Sequence, residues 1–166
     1  MFEHFLPTKI FENIDAITPA FLQEQGIKGL ILDIDNTLVT YDDPKPTESV
    51  KVWLSSLREA GISFGFVSNN REERVALFCE ELDCYFHADA HKPSRRFLRE
   101  AMQAMKTDEK TTASIGDQIF TDVWAAGRAG MRSYLVPPIK DKTTLFFRTK
   151  RLLEKPFLRL YRKRQK

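Results

Sequence analysis

The sequence predicts an α/β fold in which a doubly wound, Rossmann-like parallel sheet of five strands lies between two layers of helices. Short apolar runs rich in Val, Ile, Leu and Phe alternate five times with segments that have helical spacing. The links between them are short, and the first run is apolar almost throughout, as expected for a strand buried on both faces. Such alternation is typical of a three-layer structure with a parallel sheet.

The predicted strands and helices follow one another along residues 27–136. The predicted strands are 27–34, 62–67, 84–86, 111–115 and 132–136. The predicted helices are 46–60, 71–82, 94–105 and 119–129. Gly61 and Gly130 follow the first and last of these helices, where a C-cap glycine is expected. Asn70 and Glu73 have the spacing of a capping box and predict the start of the second helix.

The chain is predicted to have three segments. Residues 1–26 hold scattered apolar positions interrupted by Pro7 and Pro19, which predicts a helical or irregular extension packed on the core. Residues 27–139 form the α/β domain. Residues 140–166 hold eleven Lys and Arg against two Asp and Glu, a net charge of +9, whereas the rest of the chain carries −6. This basic tail indicates contact with an anionic lipid or nucleic acid.

The tail also has an amphipathic pattern. Leucines and aromatic residues alternate with basic residues at near-helical spacing, and Pro156 is expected to break the helix. This pattern is typical of a segment that lies in a membrane interface. Two other interpretations stay open, namely a helix docked on the body with its charges in water, and an RNA-binding segment.

Composition excludes several classes of protein. The chain is 42% hydrophobic and 30% charged, which excludes a disordered chain, and no apolar stretch is long enough to span a bilayer. The N-terminus carries Glu3 and Glu12 and has no basic region, so we expect no secretory signal. Cys79 and Cys84 lack a second pair for zinc and predict two reduced thiols in a cytoplasmic protein.

Polar residues lie at or just beyond the ends of four predicted strands. In chain order they are Asp33 with Asp35, Ser68, Lys92, and Asp117 with Asp122. Each alone has an ordinary explanation as a turn residue, a helix cap or a solvated lysine. Two acids directly after a buried strand are nevertheless a poor choice for packing. Because ligands bind beyond the carboxyl ends of parallel strands, we expect these side chains to form one site.

Taken together, these motifs resemble the haloacid dehalogenase superfamily of phosphatases. The matching residues are Asp33-x-Asp35-x-Thr37, Ser68, Lys92 and Gly116-Asp117-x4-Asp122. A closer similarity to the bacterial YqeG family, in subfamily IIIA, is carried by residues 29–39 (GLILDIDNTLV), 68–70 (SNN), 92–93 (KP) and 116–122 (GDQIFTD). That family is related to the phosphatidylglycerophosphate phosphatases of mitochondria and plastids.

The resemblance implies a Mg²⁺-dependent phosphomonoester hydrolase that acts through an aspartyl-phosphate. Asp33 is the expected nucleophile, and Asp35 is the expected acid and then base. Lys92 is expected to neutralise charge on the transferring group.

The resemblance also implies a substrate site and a metal site. Thr37, Ser68 and Asn69 are expected to bind the substrate together with Lys92. Magnesium is expected between Asp33, the main-chain carbonyl of Asp35 and Asp117. Asp122 is expected to hold Lys92 or a water molecule of the metal rather than to bind the metal directly.

Spacing limits the substrate. The intervals from Thr37 to the first helix and from Ser68 to Lys92 are too short for a folded cap domain. A capless site is open and suits a phosphate carried on something large. With the basic tail and the resemblance, this favours phosphatidylglycerophosphate at the inner face of the membrane. The alternatives are a phosphatase of another metabolite, protein or nucleic-acid end, and an RNA- or ribosome-associated binding protein on the same fold.

Overall fold

The computed structural model describes residues 2–140 and 144–165, and in these ranges it forms one parallel sheet of six strands. The strands are β1 (Lys9–Ile10), β2 (Gly29–Leu32), β3 (Ser63–Val67), β4 (Tyr85–His87), β5 (Thr112–Gly116) and β6 (Arg132–Leu135). Their order across the sheet is β1-β6-β5-β2-β3-β4. The chain therefore leaves central β2 toward β3 on one side and later returns to β5 on the other.

Helices connect the strands and cover the sheet. They are α1 (Pro19–Glu24), α2 (Glu48–Glu59), α3 (Glu72–Cys79), α4 (Arg96–Met105), α5 (Trp124–Ala129) and α6 (Leu145–Arg164). A π-helical turn, Ile119–Val123, leads directly into α5. Among the described residues, no helix has the length and apolar character needed to cross a bilayer.

The two faces of β2 explain the layered architecture. Leu30 and Leu32 belong to one buried cluster, which includes Leu57 of α2. Ile31 belongs to a second cluster, which includes Leu98 of α4. Because successive side chains of a strand point to opposite faces, a continuous apolar run needs helices on both sides. The three-layer α/β prediction is confirmed.

The sheet is one strand wider than predicted. All five predicted strands are present, and β1 of the N-terminal extension adds a sixth at the β6 edge, with Lys9 opposite Tyr134. A two-residue strand is too short for hydrophobic periodicity to reveal it. The same extension buries Ile17 and Leu22 completely, and the Trp53 indole donates to the Ile17 carbonyl at 3.0 Å.

Helix α6 continues through Pro156, so the predicted break there is wrong. Contacts on both sides of the proline hold the helix against the body: before it, Glu154 accepts from the Ile119 N–H at 2.9 Å, and after it two aromatic residues make contacts. The Phe157 ring lies 5.1 Å from that of Phe5, and the Ile10 N–H donates to the Tyr161 hydroxyl at 3.3 Å. These contacts offset the hydrogen bond that a proline removes from a helix. Residues 141–143 and 166 of the predicted tail lie outside the described residues.

Two residues of α2 provide a test of the buried face. Leu57 is fully buried in the core, whereas Val52 is 63% exposed. We expect Leu57→Ala to lower the free energy of unfolding by about 2–5 kcal/mol, because it leaves a cavity. The matched control Val52→Ala should change it by less than about 0.5 kcal/mol. Urea titrations followed by circular dichroism measure both, and equal losses would contradict this packing.

Candidate active site

The centre of the site is the buried ammonium group of Lys92. Its Nζ lies 2.7 Å from Asp33 Oδ1 and 2.6 Å from Asp122 Oδ1. Burial lowers the pKa of Lys92, but the charges of Asp122 and Asp33 outweigh it, so the net pKa is raised. Lys92 is therefore a fixed positive charge at the carboxyl edge of the sheet.

Asp33 follows β2 directly. Its N–H donates to the Ile115 carbonyl at 3.0 Å, which continues the pairing with β5. The Thr37 hydroxyl donates to Asp33 Oδ2 at 3.1 Å. Burial raises the pKa of Asp33 to about 7; the nearby Lys92 lowers it, and the charge of Asp122 raises it further. Thr37 thus orients the carboxylate in this structure.

A tight turn brings Asp35 into the same cavity as Asp33. Asn36 adopts a left-handed conformation, φ 66°, which asparagine tolerates better than most residues. Asp35 Oδ2 accepts from the Asn70 amide at 2.8 Å, and Asp35 Oδ1 accepts from Arg74 Nη2 at 2.9 Å. The Asp35 carboxylate is thereby held on the β3 side of the cavity.

The predicted capping box at Asn70 is wrong. Helix α3 begins at Glu72, its N-cap is Arg71, and no side chain caps it. The Asn70 side-chain amide instead donates a hydrogen bond to Asp35. Sequence reasoning missed both Asn70 and Arg74 as site residues, although the polar run 68–70 after a buried strand was a usable signal.

Ser68 and Asn69 differ in their roles. Both line the cavity. Asn69 is bound to the Lys92 main chain, because its Oδ1 accepts from the Lys92 N–H at 2.6 Å and its amide donates to the Lys92 carbonyl at 3.2 Å. Ser68 Oγ accepts from the Asn70 N–H at 3.1 Å, which leaves its proton to donate into the cavity. Asn69 therefore positions Lys92, and Ser68 is suited to contact substrate.

Asp117 follows β5, and its two carboxylate oxygens differ in their contacts. Its Oδ2 accepts from Arg151 of α6, and its carbonyl accepts from Arg151 Nη1 at 2.6 Å. Among the described residues, Asp117 Oδ1 is buried and makes no hydrogen bond. Burial raises the pKa of Asp117 to about 6, Asp122 raises it further, and Arg151 opposes both. A buried, unpartnered carboxylate oxygen is suited to bind a cation.

A divalent metal fits this arrangement. One carboxylate oxygen each of Asp33, Asp117 and Asp122 lies within 4.8 Å of the others. Hard oxygen donors are the ligands that Mg²⁺ and similar cations prefer. Asp122 already accepts from Lys92 and, through Oδ2, from the Gln118 N–H at 3.2 Å. Among the described residues, the oxygen of this group that makes no hydrogen bond is Asp117 Oδ1, and the Asp35 carboxylate lies outside the group.

Gly116 makes room for the Asp122 carboxylate. A Cβ at position 116 would lie 2.3 Å from Asp122 Cγ, so no larger residue fits without moving that carboxylate. The π-helical turn after β5 carries Asp122 into this position, and such turns often occur at functional sites.

Helix α6 forms part of the site, which sequence reasoning did not predict. Arg151 contacts Asp117, and Lys150 donates to the Gln118 side chain. Glu154, 3% exposed, accepts from the Ile119 N–H at 2.9 Å and from Arg151 at 3.0 Å. Glu154 is the only acid in a strongly basic helix, and that isolation was the signal for an inward-facing residue.

All these elements surround one open cavity of about 310 Å³. It is lined by Asp33, Asp35, Tyr41, Ser68, Asn69, Asn70, Lys92, Gln118, Thr121, Asp122 and Lys150. Every predicted catalytic residue is among them. Two predicted site residues are outside this lining: Thr37, which donates to Asp33, and Asp117, which directly precedes the lining residue Gln118.

Sequence comparisons place the chain among known proteins. A family model described as haloacid dehalogenase-like hydrolase matches residues 5–136. The chain is 38% identical over 154 residues to a Bacillus subtilis (strain 168) protein named probable phosphatase YqeG, which covers 93% of this chain and 90% of the relative.

Solved structures show the same fold at low identity. A cobalt-bound deoxy-D-mannose-octulosonate 8-phosphate phosphatase from Haemophilus influenzae matches with a TM-score of 0.53 and 15% identity, over 82% of this chain and 90% of that chain. A HAD-superfamily hydrolase from Ehrlichia chaffeensis matches with a TM-score of 0.53 and 15% identity, over 80% and 98%.

The buried acids predict an unusual pH dependence of stability. Without a divalent cation, Asp33 and Asp117 have raised pKa values, about 7 and about 6, so the folded state binds protons more tightly than the unfolded state. The free energy of unfolding should therefore fall as pH rises from about 5 to about 7. Mg²⁺ should reduce this fall, because it replaces the protons.

Thermal melts in EDTA and in Mg²⁺ at constant ionic strength measure the effect. Asp33→Asn should flatten the EDTA profile, because its amide does not titrate. A melting temperature that is constant or rises across this range in EDTA would contradict the electrostatics described here.

Proposed function

The chain belongs to the haloacid dehalogenase-like hydrolases and is a phosphatase of that family, and we propose that it hydrolyses phosphomonoesters through a phosphorylated Asp33, with Mg²⁺ as cofactor. One observation carries this proposal: Asp33 lies at the carboxyl end of the central strand, bonded to the buried ammonium of Lys92. A carboxylate can attack a phosphate dianion only where such fixed charge offsets their repulsion.

In the proposed reaction, a carboxylate oxygen of Asp33 attacks phosphorus and the bond to the leaving oxygen breaks. Asp35, released by Arg74 and protonated from solvent, gives that oxygen its proton. Asp35 then takes a proton from water, whose oxygen attacks phosphorus, so that inorganic phosphate leaves and Asp33 is restored. Asn70 and Arg74 hold the Asp35 side chain, and Arg74 must release it when Asp35 turns to the leaving oxygen.

The metal would be held by Asp33, by Asp117 Oδ1 and by the main-chain oxygen of Asp35. It would supply positive charge against the phosphate oxygens. Support comes from the unpartnered Asp117 oxygen and from the cluster of three carboxylates. Asp122 would keep Lys92 in place, because its Oδ1 accepts from Lys92 Nζ at 2.6 Å.

We propose phosphatidylglycerophosphate as the substrate. Within the described ranges, neither the interval from β2 to α2 nor that from β3 to Lys92 carries a further domain over the cavity. The open cavity therefore suits a phosphate presented at a surface. Membership of subfamily IIIA and kinship with phosphatidylglycerophosphate phosphatases are part of this proposal.

The outer face of α6 supports contact with an anionic membrane. Leu145, Leu152 and Leu153 are 81%, 59% and 57% exposed. Exposed basic residues, including Arg148 and Lys155, lie among them. Apolar side chains can enter the interface while basic residues meet anionic headgroups, at about 1 kcal/mol for each residue that engages. This arrangement would hold the cavity near the inner face of the membrane.

The chemistry is tested by phosphate release from phosphatidylglycerophosphate and from p-nitrophenyl phosphate. Wild-type protein should release phosphate in Mg²⁺ and not in EDTA. Asp33→Asn should abolish release, because an amide is not a nucleophile, and Asp35→Asn should slow it by about 10²–10⁴-fold. Substantial turnover by purified, folded Asp33→Asn would overturn the assignment of the nucleophile. Release from p-nitrophenyl phosphate alone would overturn the lipid substrate.

The membrane contact is tested with vesicles of phosphatidylglycerol and of phosphatidylcholine. Leu152→Ser combined with Leu153→Ser should weaken co-sedimentation with the anionic vesicles by tenfold or more, since each leucine contributes roughly 1.5–3 kcal/mol when fully buried. Leu77→Ser, at an exposed leucine of α3, is the matched control and should bind as wild type does. Equal binding by all three proteins would exclude α6 as the contact.

A further inference from the structure

The inner face of α6 carries two consecutive cations that contact residues of the site. Arg151 bonds to Asp117 and to Glu154. Lys150 lines the cavity and donates to the neutral side-chain oxygen of Gln118. Arg151 is therefore paired with carboxylates, whereas Lys150 is bonded to a neutral amide.

The other cations at this site have a carboxylate at hydrogen-bonding distance. Those pairs are Lys92 with Asp33 and Asp122, Arg74 with Asp35, and Arg151 with Asp117. Lys150 is half-buried, and burial lowers its pKa more than the surrounding acids raise it. An anion stabilises a partly desolvated ammonium group that is bonded only to a neutral amide more than it stabilises an ammonium group in water.

Lys150 also faces the cavity from a different wall than the residues proposed to bind the scissile phosphate. Ser68 follows β3, whereas Lys150, Gln118 and Thr121 lie on the β5 side. Lys92 already supplies positive charge next to the phosphoryl group that Asp33 attacks. The charge of Lys150 can therefore interact with another part of the substrate.

We propose that Lys150 recognises a second anionic group on the substrate, so that the enzyme selects phosphomonoesters carrying another negative charge near the scissile phosphate. This inference rests on the proposed phosphatase function. The second group is a phosphodiester, as in phosphatidylglycerophosphate, or a second phosphate on a soluble metabolite. The family model matches residues 5–136, so Lys150 lies outside the matched segment.

The test compares glycerol phosphate with glycerol bisphosphate, which differ only by the second phosphate. With the full-length chain, Lys150→Gln should lower kcat/KM for the bisphosphate roughly ten- to hundredfold, mainly through KM, as expected for one hydrogen bond to a charged group. Its effect on glycerol phosphate should stay below threefold. Lys110→Gln, at an exposed lysine in the turn before β5, should change neither, and Lys150→Arg should keep the preference.

Equal losses on both esters, or no loss on either, would overturn the role of Lys150 and leave the phosphatase function intact. A short-chain phosphatidylglycerophosphate, assayed in parallel, identifies the anion. A larger loss on it than on the bisphosphate indicates a phosphodiester, and a smaller loss indicates a phosphate.

A binding measurement separates this inference from the proposed catalysis. In an Asp33→Asn background, calorimetry should show tighter binding of glycerol bisphosphate than of glycerol phosphate, and Lys150→Gln should remove the difference. If wild type released phosphate from none of these substrates, phosphatidylglycerophosphate and p-nitrophenyl phosphate included, the proposed function would fall, while this measurement would still decide the role of Lys150. Unchanged binding of glycerol bisphosphate after Lys150→Gln would overturn the proposed role of Lys150.

Discussion

The whole site depends on one buried ammonium group that compensates several buried carboxylates. Asp33, Asp117 and Asp122 come within 4.8 Å of one another at the carboxyl edge of the sheet, where their charges repel. Lys92 bonds to two of them, and Asn69 fixes both main-chain groups of Lys92. The neighbouring strands β2 and β5 are thus free to end in acids that packing alone would not tolerate.

Helix α6 supplies Asp117 with a positively charged partner, Arg151, as Lys92 does for Asp33. Arg151 bonds to one Asp117 oxygen and leaves the other unpartnered among the described residues, and Glu154 anchors that arginine. Fixing one oxygen of a metal ligand is a common way to orient the other. A helix whose outer face is basic and apolar therefore also lines the catalytic cavity, through Lys150, so the proposed membrane contact would lie on the same helix as residues of the site.

Local sequence patterns predicted much of the fold and part of the site. The apolar run 27–34 predicted a strand buried on both faces, and the acids near its end predicted where the cavity lies. Long-range contacts could not be predicted this way. The pairing of Arg151 with Asp117 spans 34 residues, and that of Arg74 with Asp35 spans 39. Pro156 favoured a helix break, yet packing on both sides of it overrode that local preference.

The central claim is that Asp33 accepts the phosphoryl group while a cation binds Asp117 Oδ1 and Lys92 stays on Asp122. A crystal structure of the full chain with Mg²⁺ and beryllofluoride, a mimic of a phosphorylated carboxylate, tests it most directly. The account predicts beryllium bonded to an Asp33 carboxylate oxygen, the cation in contact with Asp33 and Asp117, and the Lys92–Asp122 bond retained. A fluoride complex attached to another residue, or a cation that displaces Lys92 from Asp122 and leaves Asp117 Oδ1 unbound, would contradict it.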